Sequence, residues 1–355
     1  STPIDVAYGG DNVTHFMWTP VQIGTYPIYV TVNEGGLLEE YSYANNMASS
    51  TLVVVLEADT NDWLVDSVWP DVIGANMRWQ NNIIIEDNGY LALIDTYLFM
   101  SQISTNTPIQ IVVRDSGTLV LDNTTIDSNL VLRLYLFDNS NLVMAGSSLS
   151  AKVVLIMDDS STVHMDGSFV MGDIQAPSTS SAELVAVNTT FGRSWLYFGG
   201  TATAELTGAS INSISPVSPK DGAVVTLYSW IVVSVYDGTG IHKIPGAYVE
   251  ARSFINFALY ASGYTDMSGE WRFRALSDIV TAAGHGSVVS GYYQLNGTYW
   301  YDGDRYDSDL TAVAEVAYNP DTRLVRSDAL VRLDISSAKP NLDPPITAPT
   351  NPVWG

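Results

Sequence analysis

The sequence predicts an all-β protein in which a parallel β-helix lies between β-sandwich modules. Three observations carry this expectation. A motif recurs about every 21 residues through the middle of the chain. Each copy alternates apolar and polar residues, the mark of a strand with one buried face. Outside the repeat, short alternating runs are separated by clusters of Gly, Pro, Asn and Asp.

The repeat is read from Leu119–Ile126, Leu142–Leu149, Val163–Val170, Leu184–Phe191 and Ala204–Ile211, with an earlier copy at Leu91–Leu98. In the five later copies an Asn or Gly at 123, 146, 167, 188 or 208 follows the alternating run, at spacings of 23, 21, 21 and 20. This position is expected to be a corner with positive φ, which Gly adopts freely and Asn better than most residues. The apolar residue three places later turns back into the core. Ile126, Leu149, Val170, Phe191 and Ile211 should therefore stack in one column. Leu132–Phe137 and Val153–Met157 supply the second strand of their coils. Residues 58–213 are assigned to this solenoid, with about six coils expected over 83–213.

This architecture resembles right-handed parallel β-helices, a family that includes polysaccharide lyases and hydrolases. The resemblance implies a right-handed coil and raises the question of catalysis on an exterior sheet. The cations available there are Arg114, Arg133, Lys152 and Arg193. The first three are 19 residues apart and could stack on adjacent coils near Asp138, Asp158 and Asp159. A solvated face is the simpler reading, and no enzymatic activity is expected.

Residues 1–57 carry Trp18-Thr-Pro, then Gly24-Thr-Tyr-Pro-Ile-Tyr-Val-Thr-Val, then Glu39-Glu-Tyr-Ser-Tyr-Ala-Asn45-Asn46. These residues resemble the last strands of the CARDB-like immunoglobulin module of archaeal and bacterial surface proteins. Tyr26, Ile28 and Val30 alternate as one strand face, and Thr51-Leu-Val-Val-Val follows a turn. The resemblance covers part of a module, and a part leaves strand edges for another segment to complete.

Residues 214–339 read as a second sandwich. Ile231–Tyr236 is a strand, followed by the turn Asp237-Gly-Thr-Gly240 and the strand Pro245–Ala251. Gly263-Tyr-Thr-Asp-Met-Ser-Gly269 leads into Glu270–Arg274, and later strands lie at 291–295, 312–316 and 329–333. The Pro-Gly-Ala strand and the Thr265-Asp266-x-x-Gly269 turn resemble the carboxypeptidase-regulatory, or prealbumin-like, module. That family implies a structural or regulatory role without catalytic residues. The segment 340–355 is proline-rich, lacks periodicity and reads as an extended arm.

Composition narrows the function. Acidic residues outnumber basic ones 38 to 15, for a net charge of -23, which disfavours nucleic acid and anionic membranes. Lysine occurs only at 152, 220, 243 and 339, and charged residues make up 15% of the chain. Such low charge density suits an extracellular, cell-surface protein. The sequence holds no cysteine, so disulfides, thiolate metal sites and cysteine nucleophiles are excluded. No apolar run is long enough to span a membrane.

His15, His164, His242 and His285 are scattered and form no zinc motif. Sequons at Asn12, Asn123, Asn188 and Asn296 are glycosylation candidates. Asp302, Asp304, Asp307 and Asp309 form a weak calcium candidate, and calcium is the one cofactor considered. Tyr292, Tyr293, Tyr299, Trp300 and Tyr301 could stack on sugars or pack a sheet. The expected role is a surface-protein subunit, in a filament or an S-layer-like sheet, joined head to tail with copies of itself. Leu342, Ile346, Val353 and Trp354 are the expected apolar anchors of the tail. The competing class is a protein that binds or cleaves polysaccharide on the solenoid face.

Overall fold

A computed structural model describes residues 24–31, 47–54, 62–103, 108–192, 194–211, 217–285, 292–301, 304–308, 312–315 and 329–335. All elements in these residues are β. The middle of the chain is a parallel β-solenoid of about seven coils with three faces. The first sheet stacks Trp63–Val65, Ile83–Ile85, Gln110–Val113, Leu132–Leu136, Val153–Met157, Ile174–Ala176, Leu196–Phe198 and Val217–Pro219. The second stacks Val72–Ile73, Tyr90–Ile94, Thr118–Asp122, Asn141–Ala145, Thr162–Asp166, Glu183–Val187 and Thr203–Thr207, ending on Val224–Tyr236. The third runs from Asn76–Trp79 through Tyr97–Met100, Thr125–Ser128, Ser148–Leu149, Phe169–Val170 and Thr190–Phe191 to Ser210–Ile211.

The coils begin at Trp63, within the assigned bounds of 58–213 and ahead of the stretch 83–213 over which six coils are expected. The first coil escapes a pattern search because its second-sheet strand, Val72–Ile73, is two residues long. Its corner is Gly74 at φ 63°, followed by Ala75 rather than a hydroxyl residue.

The expected corners and column are present. Asn123, Gly146, Gly167, Asn188 and Gly208 have φ between 47° and 58°, and Asp95 occupies the same corner at 50°. Met77, Leu98, Ile126, Leu149, Val170, Phe191 and Ile211 stand in register on successive coils, each fully buried.

The small residue after each corner has a role that alternation does not reveal. Thr96, Thr124, Ser147, Ser168 and Thr189 are buried and form a hydroxyl ladder inside the stack. The Thr124 hydroxyl donates to the Leu93 and Asp122 carbonyls at 2.8 and 3.0 Å and accepts from the Thr96 amide at 3.2 Å. The Thr124 amide in turn donates to the Ser147 hydroxyl at 2.9 Å. The tight turn thus satisfies its buried backbone groups from the next coil.

The strand Val224–Tyr236 belongs to two cores. Val225 and Leu227 complete the solenoid core, whereas Ile231, Val233 and Val235 belong to a second core. Glu270–Thr281 runs antiparallel beside it, with a register shift at Leu227/Tyr228. A five-stranded sheet, built from Tyr248–Ser253, Leu259–Tyr264, Tyr292–Tyr301, Asp304–Asp307 and Ala312–Glu315, covers the second core from the other side. Ala329–Asp334 pairs in parallel with Ile231–Tyr236. The result is a two-layer β unit fused to the last coil without a linker.

At the other end, Gly24–Thr31 and Met47–Val54 form a two-stranded antiparallel ribbon paired along its whole length. The segment 340–355, with Leu342, Ile346, Val353 and Trp354, lies outside the described residues, as do Asn12, Asp302 and Asp309.

Candidate functional site

Two of the four sequons follow from the solenoid's own geometry. Asn123-Thr-Thr and Asn188-Thr-Thr are corner sequences: Asn takes the positive φ, the next Thr enters the hydroxyl ladder, and the second Thr begins the next strand. Both asparagines are exposed, but neither side chain is idle. The Asn123 amide donates to Asp95 Oδ1 at 2.6 Å, and Asn188 Oδ1 accepts from the Trp230 indole at 3.0 Å. Asn296 differs: it lies partly buried in the middle of a strand of the five-stranded sheet, opposite Glu250.

The expected basic column does not form. Arg133 is in register with Val154 and Gln110, Arg114 follows Val113 and so aligns with Phe137, and Lys152 precedes Val153 and aligns with Val131. The physical reason is the period: cations 19 residues apart drift along coils of 21 to 23 residues. Arg114 is instead tied to Glu86, with Nε at 2.9 Å, and the Lys152 ammonium donates to the Asn129 carbonyl at 2.7 Å. Arg193 lies outside the described residues.

Carboxylates do form a column, one the spacing of cations concealed. Asp87, Asp115, Asp138 and Asp159 occupy a second corner, all at φ between 50° and 58°. The amides of Asp87, Asp115 and Asp138 donate to the carboxylate of the Asp on the next coil, at 3.3, 3.1 and 3.3 Å. The column closes turns.

The outer surface of the first sheet is unusual for a solvent-facing surface. Leu64, Ile84, Val112, Tyr135, Ile156, Gln175 and Tyr197 stand in register on consecutive coils, so all but one are apolar or aromatic. Two pairs of rings lie almost flat on one another: Tyr135 with Phe137 at 5.4 Å and 10°, and Trp195 with Tyr197 at 5.6 Å and 5°. Beside the second pair is an open cavity of about 540 Å³ bordered by Ile156, Gln175, Pro177, Tyr197, Lys220 and Asp221. Chemically, this surface offers flat faces for stacking and one cation and one carboxylate at its rim.

In the two-layer unit Asp237 is buried in the Asp-Gly-Thr-Gly turn. One oxygen accepts from the Thr239 amide and hydroxyl at 3.2 and 2.6 Å, and the other faces His242 Nδ1 at 3.1 Å. Burial pushes this carboxyl up, but the hydrogen bonds from Thr239, His242 and backbone amides outweigh it and hold the group below its ordinary range. The Thr265-Asp266-x-x-Gly269 turn is built similarly. The Thr265 hydroxyl donates to the Ile244 carbonyl at 2.7 Å, and Asp266 Oδ1 accepts from the Ser268 and Glu270 amides at 2.8 and 3.1 Å. Both sites are structural turns.

Of the acidic cluster, Asp304–Asp307 is a short strand paired with Thr298–Tyr301. The Asp307 carboxylate is engaged by Arg305 Nε at 2.9 Å and the Thr298 hydroxyl at 2.8 Å. Among the described residues, no group of three or more His, Asp or Glu is placed to hold a metal ion. The aromatic residues of this region divide. Tyr293 and Tyr299 belong to the second core, whereas Tyr292 and Trp300 are exposed.

No helix among the described residues is long and apolar enough to cross a membrane. Comparison with known protein families and with curated proteins finds no match.

Proposed function

We propose that this chain is a structural subunit of an extracellular surface assembly, a filament or an S-layer-like sheet, whose copies complete one another's β modules. In this reading the solenoid is a right-handed spacer. The N-terminal ribbon belongs to a CARDB-like immunoglobulin module, and the two-layer unit is a carboxypeptidase-regulatory-like sandwich. The chain performs no catalysis, and its sequons suit a surface glycoprotein of archaeal or bacterial type.

The observation that carries the reading is the ribbon Gly24–Thr31/Met47–Val54, which among the described residues pairs with no third strand. A two-stranded ribbon is marginal in water and gains stability when another strand or a packed face joins it. A strand from a second copy provides main-chain hydrogen bonds along either edge. Such a contact is heterologous, so it propagates unless the rotation closes a ring. The tail anchors Leu342, Ile346, Val353 and Trp354 are the sequence's candidates for the connecting segment.

Cryo-electron microscopy of native material tests this directly, with ordered polymers expected. Deleting residues 340–355 should abolish polymers and leave the solenoid folded. Normal assembly of the truncated chain would remove the tail from the proposal.

A second reading, polysaccharide binding on the solenoid, is favoured by the stacked Trp195–Tyr197 pair beside the cavity. It is tested by substituting Trp195→Ala and following retention on polysaccharide gels.

A further inference from the structure

The outer face of the five-stranded sheet carries three aromatic rings in a diagonal line across three strands. Tyr264 stands directly opposite Tyr248 in the antiparallel register, with ring centroids 5.3 Å apart. Trp300 lies on the other side of Tyr248, 6.4 Å away. These rings do not belong to the core beneath: Tyr264 is 56% exposed and Trp300 is 50% exposed. A concavity of about 290 Å³ opens beside Tyr248 and Trp300, lined also by Glu250, Asn296, Thr298, Arg305 and Asp307.

The polar groups in this concavity are arranged in neutralised pairs. Arg252 holds Glu250 at 2.8 Å, and Arg305 holds Asp307 at 2.9 Å. Asp307 also accepts from Thr298 at 2.8 Å, and the Tyr248 hydroxyl donates to Glu250 at 3.3 Å. Each carboxylate retains acceptor lone pairs, and each guanidinium has further N–H donors. The site therefore presents fixed donors and acceptors at the edge of an aromatic surface, with no net local charge to select an ion. A ligand that matches must be uncharged, carry many hydroxyls, and have a flat apolar face to lay on the rings. A pyranose ring has these properties.

We infer that this face is a binding site for a neutral pyranose chain, stacked on Tyr264, Tyr248 and Trp300 and hydrogen-bonded by Glu250, Asn296, Arg305 and Asp307. The site shares no residue with the solenoid cavity beside Tyr197. Asn296 is itself a sequon residue, so the sugar could come from a glycan attached to a copy of this chain or from a free polysaccharide. The chemistry of recognition is the same for both.

The test uses the full chain made in a host without N-glycosylation, so that Asn296 is bare. Cellohexaose, maltohexaose and N-acetylchitohexaose are titrated calorimetrically, and the protein is run through gels cast with the corresponding soluble polysaccharides. Saturable binding of at least one probe is expected. Trp300→Ala and Tyr264→Ala should each weaken it roughly tenfold or more, with an unchanged melting transition because both rings are half exposed. Material from a glycosylating host, assayed before and after enzymatic deglycosylation, separates the sources: an attached glycan should suppress probe binding until it is removed, and free polysaccharide should bind both forms equally. No binding of any probe would overturn the inference. So would binding that survives both substitutions but is lost in Trp195→Ala, which places the sugar on the solenoid. Binding of a synthetic 340–355 peptide at this face, with no sugar bound, would also overturn it and assign the rings to the proline-rich tail.

Discussion

The solenoid and the two-layer unit share a strand but rely on different interactions. The solenoid joins coil to coil through parallel backbone ladders, apolar columns on each face and the buried hydroxyls from Thr96 to Thr189. Its corner carboxylates, Asp115, Asp138 and Asp159, accept from backbone amides of the preceding coil, and Arg114–Glu86 pairs charges between coils. The two-layer unit packs Phe273, Tyr293, Tyr299 and Tyr306 in its core and pairs charges on its surface, along one strand in Arg252–Glu250 and Arg305–Asp307 and between distant segments in Lys243–Glu270. A repeating stack can reuse one solution at every coil, so small neutral groups suffice. A unit built once has no neighbour to copy and draws on specific pairs.

The strongest way to break the solenoid is to place a charge in its column. Leu149→Asp puts an unpaired carboxylate between Ile126 and Val170, both fully buried, and should cost more than about 4 kcal/mol. Denaturant melts should show the solenoid transition lost or shifted while the near-ultraviolet aromatic signal of the two-layer unit persists. Next in size is backbone crowding between coils. A Cβ on Gly172 would lie 1.5 Å from the Val153 carbonyl oxygen, so Gly172→Ala should cost about 3 kcal/mol. Gly146, at φ 54° with open space around its Cβ direction, should accept Asn within about 1 kcal/mol, as Asn123 and Asn188 already show at equivalent corners.

Acid should separate the two regions. Asp237 and Asp307 are held below their ordinary range by hydrogen bonds that outweigh burial, and Asp266 and Glu270 by hydrogen bonds from Ser268 and Lys243. In the solenoid Asp127 is lowered in the same way as Asp237. A lowered carboxyl contributes stability above its unfolded pKa of about 4, and that contribution is lost as pH falls through the folded value. The two-layer unit should therefore open first as pH drops below about 4, as read by hydrogen exchange mapped along the chain. Asp237→Ala should remove about 2 kcal/mol at neutral pH and flatten that dependence. Simultaneous opening of both regions would show that the shared strand couples them fully. Thr124→Val should cost about 1–2 kcal/mol, since it keeps the shape but removes the hydroxyl's bonds to the Leu93 and Asp122 carbonyls.

The repeat was legible because alternation, a corner residue and a fixed period all report the same geometry. The column from Ile126 to Ile211 and the positive φ at 123, 146, 167, 188 and 208 follow directly from it. The first coil fell within the assigned bounds but showed no copy of the repeat, because its second-sheet strand is only two residues long and leaves no alternation to detect. The strand Leu259–Tyr264 was also missed, since none of its residues is fully buried and no apolar alternation marks it. The site residues were legible only as types. Trp300 could be named as a sugar-stacking candidate, but its placement beside Tyr248 and Tyr264 depends on antiparallel register between segments distant in sequence. Arg114, Arg133 and Lys152 show the reverse case, an equal spacing that the coil length turns into three separate columns.

The strand Val224–Tyr236 also determines how the molecule responds to a pull. A tension applied through the two-layer unit enters the last coil along the strand axis, where the ladder to Thr203–Thr207 is loaded in shear and its hydrogen bonds must yield together. A flexible tether at that point would instead have let the coils peel open one bond at a time. Trp230 reinforces the joint by reaching back to Asn188 two coils away, with Arg272 covering its ring at 4.2 Å. One continuous strand thus joins the two cores, with no hinge between them.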